Sequence, residues 1–440
     1  MRTSLGWAVG SGGLLALGAL PWLCACADDA GGSRAASASN GGSFTGAAGG
    51  VSLAGSAGAP LATGGVAGSA SGGAVASAGA PSAAGVAGVG GVATAGDGGT
   101  GLGGTSAGTA GAAGSTGGSG SAGAGLGGST SADCNSVTGQ PVITVGPSGA
   151  DFQKLQAALD SLSKTNSTPT QIRIAPGTYK EKLTVQIPNV TLCGQAGKAS
   201  TTILTYSDNA NTSNGNGGTL GTTGSASTNI TSSNVSAQNL TFANSTVLGG
   251  SQAVALLVSG DQVQFRNSRF ISFQDTLYVR KAKQYFRDCY IEGTVDFIFG
   301  DATAVFEACT VHNVSGGTAA TAPNTDQAVP YGLVFLGGQL TAASSISAGS
   351  IALGRNWGAY GAAVYLRTQL GAHIKPAGWV PMGDNTLDTA RFAEYKTTGP
   401  GATASALAAR APQSKQLGDQ EAANYTLPKI FGSWLPSFSK

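Results

Sequence analysis

Histidine is almost missing from this chain: 440 residues hold two, His312 and His373, far apart and without a partner motif. A Ser-His-Asp triad and a His/Cys metal site both lack raw material, so each His reads as structural or surface. Charge is scarce as well. Asp, Glu, Lys and Arg make up 10% of the residues, with a formal net charge of +2, and this near neutrality argues against nucleic acid as a main partner. No glycine-rich phosphate loop lies between a strand and a helix. The apolar run Leu5 to Leu20 is too short and too glycine-rich to prefer a bilayer span.

Aromatic residues are nearly absent from residues 31 to 132, which are mostly Gly, Ala, Ser and Thr. Such a segment cannot bury enough apolar surface to offset its ordering entropy, and it reads as a flexible linker over residues 27 to 132. Gly104-Thr105-Ser106-Ala107-Gly108 inside it fits the G-x-S-x-G pattern, but neither the strand nor the helix that motif requires is present. The segment before it, residues 1 to 26, reads as an export signal. Leu23-Cys24-Ala25-Cys26 resembles a bacterial lipobox, which makes Cys26 the acylated first residue of an outer-membrane or cell-surface lipoprotein, possible membrane anchor included. Ala25-Cys26-Ala27 also fits ordinary signal peptidase and plain secretion. The lipoprotein reading is preferred because a long tether follows directly.

Cysteine usage agrees with an oxidising destination. Once Cys24 and Cys26 are set aside, Cys134, Cys193, Cys289 and Cys309 remain, an even number. Cys289 and Cys309 lie one repeat apart, so stacking would bring them within disulfide range, and Cys134 with Cys193 is the default second pair. The alternative is four buried free thiols.

Folding is expected over residues 133 to 440. Val142 to Val145 reads as a strand, Phe152 to about Ser163 as an amphipathic helix, and Gln171 to Ile174 as the next strand. Short strands then recur without helical pattern between them. Asn239-Leu240-Thr241-Phe242, Asn267-Ser268-Arg269-Phe270, Asp288-Cys289-Tyr290-Ile291 and Ala308-Cys309-Thr310-Val311 occupy equivalent places, roughly 28, 21 and 20 residues apart. The last residue of each block is expected to point into a core. A β-sandwich would show tighter hairpin signals, so the expected class is all-β, a parallel β-helix with a short N-terminal helix and C-terminal loops and helix. After Val311 the pattern loosens into Ala, Ser and Thr-rich stretches, broken by strands at Tyr331 to Leu336, Leu353 to Trp357 and Val364 to Leu366. A short helix over Asp419 to Tyr425 and an apolar tail, Ile430 to Leu435, follow.

The chemistry concentrates between Gln252 and Gly300. Asp275, in Gln274-Asp275-Thr276-Leu277-Tyr278, and Asp296, in Asp296-Phe297-Ile298-Phe299-Gly300, are 21 residues apart, and Gln252 precedes Gln274 by 22. On neighbouring rungs roughly 4.8 Å apart, the two carboxylates become neighbours, and so do the two amides. Adjacent carboxylates share a proton and can divide acid/base and nucleophilic work. Two amide donors suit a reaction that develops an oxyanion, which acyl transfer does and glycoside hydrolysis does not. Arg355 could hold one carboxylate ionised, and Trp357 could offer a ring face to a sugar.

These residues carry a resemblance. Gly177-Thr178-Tyr179-Lys180-Glu181, Gln252-Ala253-Val254-Ala255-Leu256, the two acidic motifs and Leu353-Gly354-Arg355-Asn356-Trp357 are, in that order, similar to the pectin methylesterases (pectinesterases). The likeness covers about residues 141 to 436 and includes Pro376-Ala377-Gly378-Trp379 and Thr398-Gly399-Pro400-Gly401-Ala402. It implies a right-handed parallel β-helix that hydrolyses methyl esters of galacturonate in pectin, and no metal or organic cofactor; a monomer is expected. By the same resemblance, Asp296 matches the nucleophile and Asp275 the acid that protonates methanol and then activates water. Gln252 and Gln274 match the amides that stabilise the anionic intermediate, Arg355 the residue holding the nucleophile, and Trp357 a substrate-stacking ring. Tyr278, Phe297 and Met382 match further groove contacts, and Cys289 with Cys309 resembles a bridge of bacterial relatives. Asn356 departs from the pattern, which has Pro there, and is expected to loosen the Arg355 to Trp357 loop. The alternatives are an esterase or thioesterase on another substrate, a β-helix lyase or polygalacturonase, and a wall-binding lipoprotein without catalysis.

Overall fold

The computed structural model describes Cys134 and residues 139–439. The signal segment, Cys26 and the glycine-rich stretch lie outside the described residues.

Short strands pair in parallel into three sheets of eleven, eight and eight strands. Apart from the first and last pairs of the eleven-stranded sheet, neighbours are three strands apart in chain order, so each turn of the chain contributes one strand to each face. The result is a three-sided parallel β-helix. The four sequence blocks align in the second sheet, where Arg269 pairs with Thr241 and Tyr290, and Tyr290 with Thr310. Their first residues, Asn239, Asn267, Asp288 and Ala308, all have φ between 49° and 57°. Asn and Asp tolerate this left-handed turn better than other residues with a Cβ, which is why they recur at the corner. The last members, Phe242, Phe270, Ile291 and Val311, are buried in the core as expected.

Rung stacking turns that core into a ladder. Phe265, Phe286, Phe306, Phe335 and Tyr365 stack in sequence with centroids 4.8, 4.7, 4.8 and 4.3 Å apart. Phe242 and Phe270 form a parallel pair beside it, meeting Phe265 edge-on. Each ring thus buries its faces against the rungs above and below.

The ends of the coil differ from expectation in detail. The N-terminal helix is confined to Leu155–Asp160. Its start has no side-chain cap from Lys154; instead the Glu181 carboxylate accepts the backbone N–H groups of Leu155 and Gln156. Leu155, Ala158 and Leu159 bury against the coil and cover its first rungs. After Val311 the solenoid does not loosen. It continues through Ala319–Pro323, Leu333–Leu336, Ala352–Arg355 and Ala362–Leu366 to Arg391–Tyr395, strands in which most residues are buried. The C-terminal helix is split into Asp419–Ala422 and Leu427–Phe431, and Ile430 and Phe431 pack on the outer face of the first sheet with Tyr285 and Val305, while Leu435 stays exposed.

Cys134 and Cys193 are bridged, with Cα atoms 6.0 Å apart. Cys289 and Cys309 occupy equivalent places on adjacent rungs, yet both are free thiols, which corrects the expected second bridge. Each thiol instead donates to a backbone carbonyl at the corner, Cys289 to Arg287 and Cys309 to Glu307 and Phe286. Burial pushes the Cys309 thiol well above its usual range, which keeps it protonated and unreactive.

The aromatic ladder makes a prediction. Phe306→Ala leaves a cavity between two stacked rings and should lower unfolding stability by about 3–5 kcal/mol in urea titration. A loss below about 1 kcal/mol would show that the ladder is not a principal source of stability.

Candidate active site

The third sheet holds Thr228–Ile230, Leu256–Val258, Leu277–Val279, Ile298–Gly300, Ala319–Pro323 and Ala352–Arg355 as successive neighbours. Leu277 pairs with Ile298, so Asp275 and Asp296, each two residues upstream, stand one rung apart. Both adopt left-handed backbone, φ 65° and 50°. The same conformation recurs at Asn and Asp around the coil, residues that adopt it more readily than others with a Cβ. Both carboxylates are nevertheless buried, 8% and 4% exposed.

Arg355 separates their roles. Its Nε donates to Asp296 Oδ1 at 2.8 Å and to Oδ2 at 3.1 Å, and its Nη2 donates to Oδ2 as well, a bidentate clasp. Burial raises the pKa of Asp296, and the guanidinium opposes this. Asp275 is raised well above the ordinary range, first by burial and second by the charge of Asp296, with Arg355 and a hydrogen bond from Gln274 opposing. The pair is therefore asymmetric: Asp275 is pushed further toward its protonated form, and Asp296 has the guanidinium that favours its ionised form.

The amides are placed differently from the simple stack. Because Leu256 pairs with Leu277, the residue in register with Gln252 is Phe273, so Gln252 and Gln274 are one position out of phase. Gln274 reaches Asp275. Gln252 accepts the Ser251 hydroxyl at Oε1 (2.6 Å), which leaves its NH2 group as a donor. Ser272 ties this rung to the next by donating to the carbonyl of Ala253 at 2.6 Å.

Beside the carboxylates, the outer face of the sheet is aromatic. Tyr278 stacks on Phe299 at 4.2 Å, and Trp357 tilts against both at 6.1 and 5.9 Å, over a floor of Ala226, Val254, Leu257 and Ala322. Trp357 is only half-buried. Phe297 is a correction: it is fully buried in the inner core against Gly293, and the outward ring of that motif is Phe299. Strand alternation puts Phe299, in register with Tyr278, on the groove face.

Asn356 does the opposite of loosening its loop. It is fully buried, and its amide donates to the carbonyl of Thr386 at 2.7 Å. Asn385 returns two hydrogen bonds, to the carbonyls of Asn356 (3.1 Å) and Trp357 (2.9 Å). The half-buried Met382 sits in the same turn, its carbonyl accepting from Asn385 N–H. Ser251, Asn385 and Thr386 had no motif to reveal them; their role depends on contacts made through the coil. The histidines lie outside this constellation. His312 bonds Thr341, and burial pushes the His373 pKa down to about 4.

Comparison with known proteins places this geometry. A family model described as Pectinesterase matches residues 142–433. Pectinesterase 31 of Arabidopsis thaliana is 36% identical over 284 residues, covering 62% of this chain and 87% of its own. The solved pectin methylesterase PemA from Erwinia chrysanthemi is similar at TM-score 0.62 and 32% identity, over 68% of this chain and 98% of its own. A pectin methylesterase solved in complex with a hexasaccharide is similar at TM-score 0.60 and 31% identity, over 67% and 98%. The likeness extends to the architecture, a right-handed parallel β-helix.

The buried pair has a thermodynamic signature. Below the unfolded pKa of Asp275, near 3.8, both states hold its proton and nothing is lost. As pH rises above it, the unfolded chain releases the proton while the folded chain retains it, so folding loses stability up to the raised folded pKa. Asp275→Asn should therefore raise Tm at pH 7 and not at pH 3.5. An equal shift at both pH values would show that Asp275 is not held protonated.

Proposed function

The chain belongs to the pectinesterase family, and from that premise we propose that it hydrolyses the methyl esters of galacturonate in pectin through Asp296 as nucleophile. It is a carboxylic ester hydrolase. The observation that supports the residue assignment is the asymmetric carboxylate pair, one member clasped by Arg355 and the other pushed by burial toward its protonated form.

In the proposed reaction, an Asp296 oxygen attacks the ester carbonyl carbon. The carbonyl oxygen takes up negative charge and accepts hydrogen bonds from Gln252 and from the second N–H of Gln274. Asp275 gives its proton to the methoxy oxygen, the C–O bond breaks, and methanol leaves. What remains is a mixed anhydride between Asp296 and the galacturonate. Asp275, now a carboxylate, removes a proton from water, whose oxygen attacks the galacturonyl carbon. Collapse expels the Asp296 carboxylate and leaves Asp275 protonated again, with a free galacturonic acid as the second product. Arg355 keeps Asp296 ionised before attack and stabilises it as leaving group afterwards. Tyr278, Phe299 and Trp357 offer ring faces to the sugars on either side. Neighbours solved with bound hexasaccharides support a groove that takes several sugar units.

We further propose that the protein is exported, with Cys26 acylated and residues 27 to 132 tethering the enzyme to a membrane. The sequence features at Leu23 to Cys26 support this reading.

Methanol release from highly methylated pectin tests the chemistry. Asp296→Ala should abolish release, and Gln252→Ala should lower kcat about 10²-fold. Release that survives Asp296→Ala would mean that another group attacks. For location, the intact protein should incorporate labelled fatty acid and sediment with membranes, and Cys26→Ser should do neither. An unlabelled, soluble parent would establish plain secretion instead.

A further inference from the structure

The aromatic ladder ends in a charge. Tyr365, its last ring, is in register with Glu394 on the next rung, so the inward place that holds a ring on rung after rung holds a carboxylate at the C-terminal end of the coil. Glu394 is fully buried. A carboxylate in that position is costly unless it is paired and hydrogen-bonded. Arg410 pairs with it, Nε to Oε1 at 2.6 Å and Nη2 to Oε2 at 3.2 Å. Thr397 donates to Oε2 at 3.0 Å, and Gln416, from the strand beyond, to Oε1 at 3.5 Å.

For stability alone another ring would serve as well as this pair. What a ring lacks is the set of donors that Arg410 turns toward other segments. Its Nη1 donates to the carbonyls of Lys375 (3.1 Å) and Pro376 (2.9 Å), and its Nη2 to that of Gly401 (2.8 Å). One planar guanidinium thus joins the strand Arg391–Tyr395 to two separate turns. Gly378 packs directly on it: a Cβ there would meet Arg410 Cδ at 2.6 Å. The turn at Lys375 leads into Trp379–Val380, the edge strand of the site sheet, which is only two residues long and pairs with Gly354 and Arg355. The N–H of Leu353 donates to the carbonyl of Gly378 at 2.6 Å, and the N–H of Lys375 to that of Ile351 at 2.8 Å. The strand that carries Arg355 is therefore flanked on its outer side by a segment that Arg410 holds. A terminal rung has no following rung to support it, so this support comes from side chains.

We propose that the Glu394–Arg410 pair is a positioning device for Arg355, pinning the last rung of the site sheet so that the Arg355 guanidinium stays on Asp296. The inference rests on the reading of Asp296 as nucleophile. The pair acts through Lys375 to Val380 on the backbone of Arg355. A bidentate clasp depends on the plane and direction of the guanidinium, so a small displacement of its strand weakens the hold on the carboxylate.

The test compares the full chain with Arg410→Lys and Glu394→Gln. Lysine keeps a cation beside Glu394 and loses the fork that spans the turns; glutamine keeps the shape and an acceptor oxygen and loses the charge. Leu192→Ala, a buried position near the other end of the coil, is the control for lost stability alone. In both variants of the pair, kcat on highly methylated pectin should fall about tenfold with KM nearly unchanged. The acid limb of kcat/KM should move up by roughly one pH unit, because an Asp296 carboxylate less firmly held takes up its proton at higher pH. Leu192→Ala should lower Tm and leave the limb in place. An unmoved limb in folded Arg410→Lys and Glu394→Gln, whatever their Tm, would overturn the proposal, and so would an equal movement in Leu192→Ala. If one variant of the pair does not fold, the other decides. If the parent releases no methanol, it is the esterase reading that fails; a ¹³C NMR titration of the Asp296 carboxyl in parent and variants then decides the positioning role alone, by the same upward shift or its absence.

Discussion

Everything in this protein depends on parallel backbone pairing repeated from rung to rung. It fixes neighbours at roughly 4.8 Å, a spacing that forces like side chains to lie over like. In the interior this produces the ladder from Phe265 to Tyr365. On the groove face it produces the pairing of Tyr278 with Phe299. Just ahead of the strands of that face it sets Asp275 beside Asp296, two groups that would repel if both were charged. Repetition that stabilises the apolar side creates an electrostatic problem on the polar side.

Arg355 resolves it by breaking the repetition. It sits two rungs from Asp296 and reaches back across the sheet, so one carboxylate of two equivalent positions gains a guanidinium and the other does not. In the proposed mechanism, this asymmetry is what lets one residue attack while the other donates a proton. Because the bidentate clasp demands a fixed guanidinium plane, the loop after Arg355 must be firm, and the Asn356, Asn385 and Thr386 hydrogen bonds supply that firmness. Proline would restrict φ at Asn356; here an amide crosslink restrains the same turn from outside.

The sequence by itself determined the repeat, its inward-facing residues, and the phase of the two aspartates, because a one-dimensional solenoid writes its spatial neighbours at nearly constant chain separation. Asn and Asp at the corners and apolar residues two or three places later were enough to align the second sheet. Tertiary structure alone decided what departs from that period. Gln252 and Gln274 differ by 22 residues where the local period is 21, and only the strand register shows that this slip takes the two amides out of phase. Phe297 and Phe299 are indistinguishable by composition, and only the turn before the strand sends one inward and the other into the groove. Cys289 and Cys309 have the spacing of a bridge, but free thiols bonded to corner carbonyls were settled by local geometry. Glu181 capping a helix 26 residues away and Asn385 pinning the loop of Trp357 are contacts between different turns of the coil. Their partners follow no period, and no local preference of the chain encodes them.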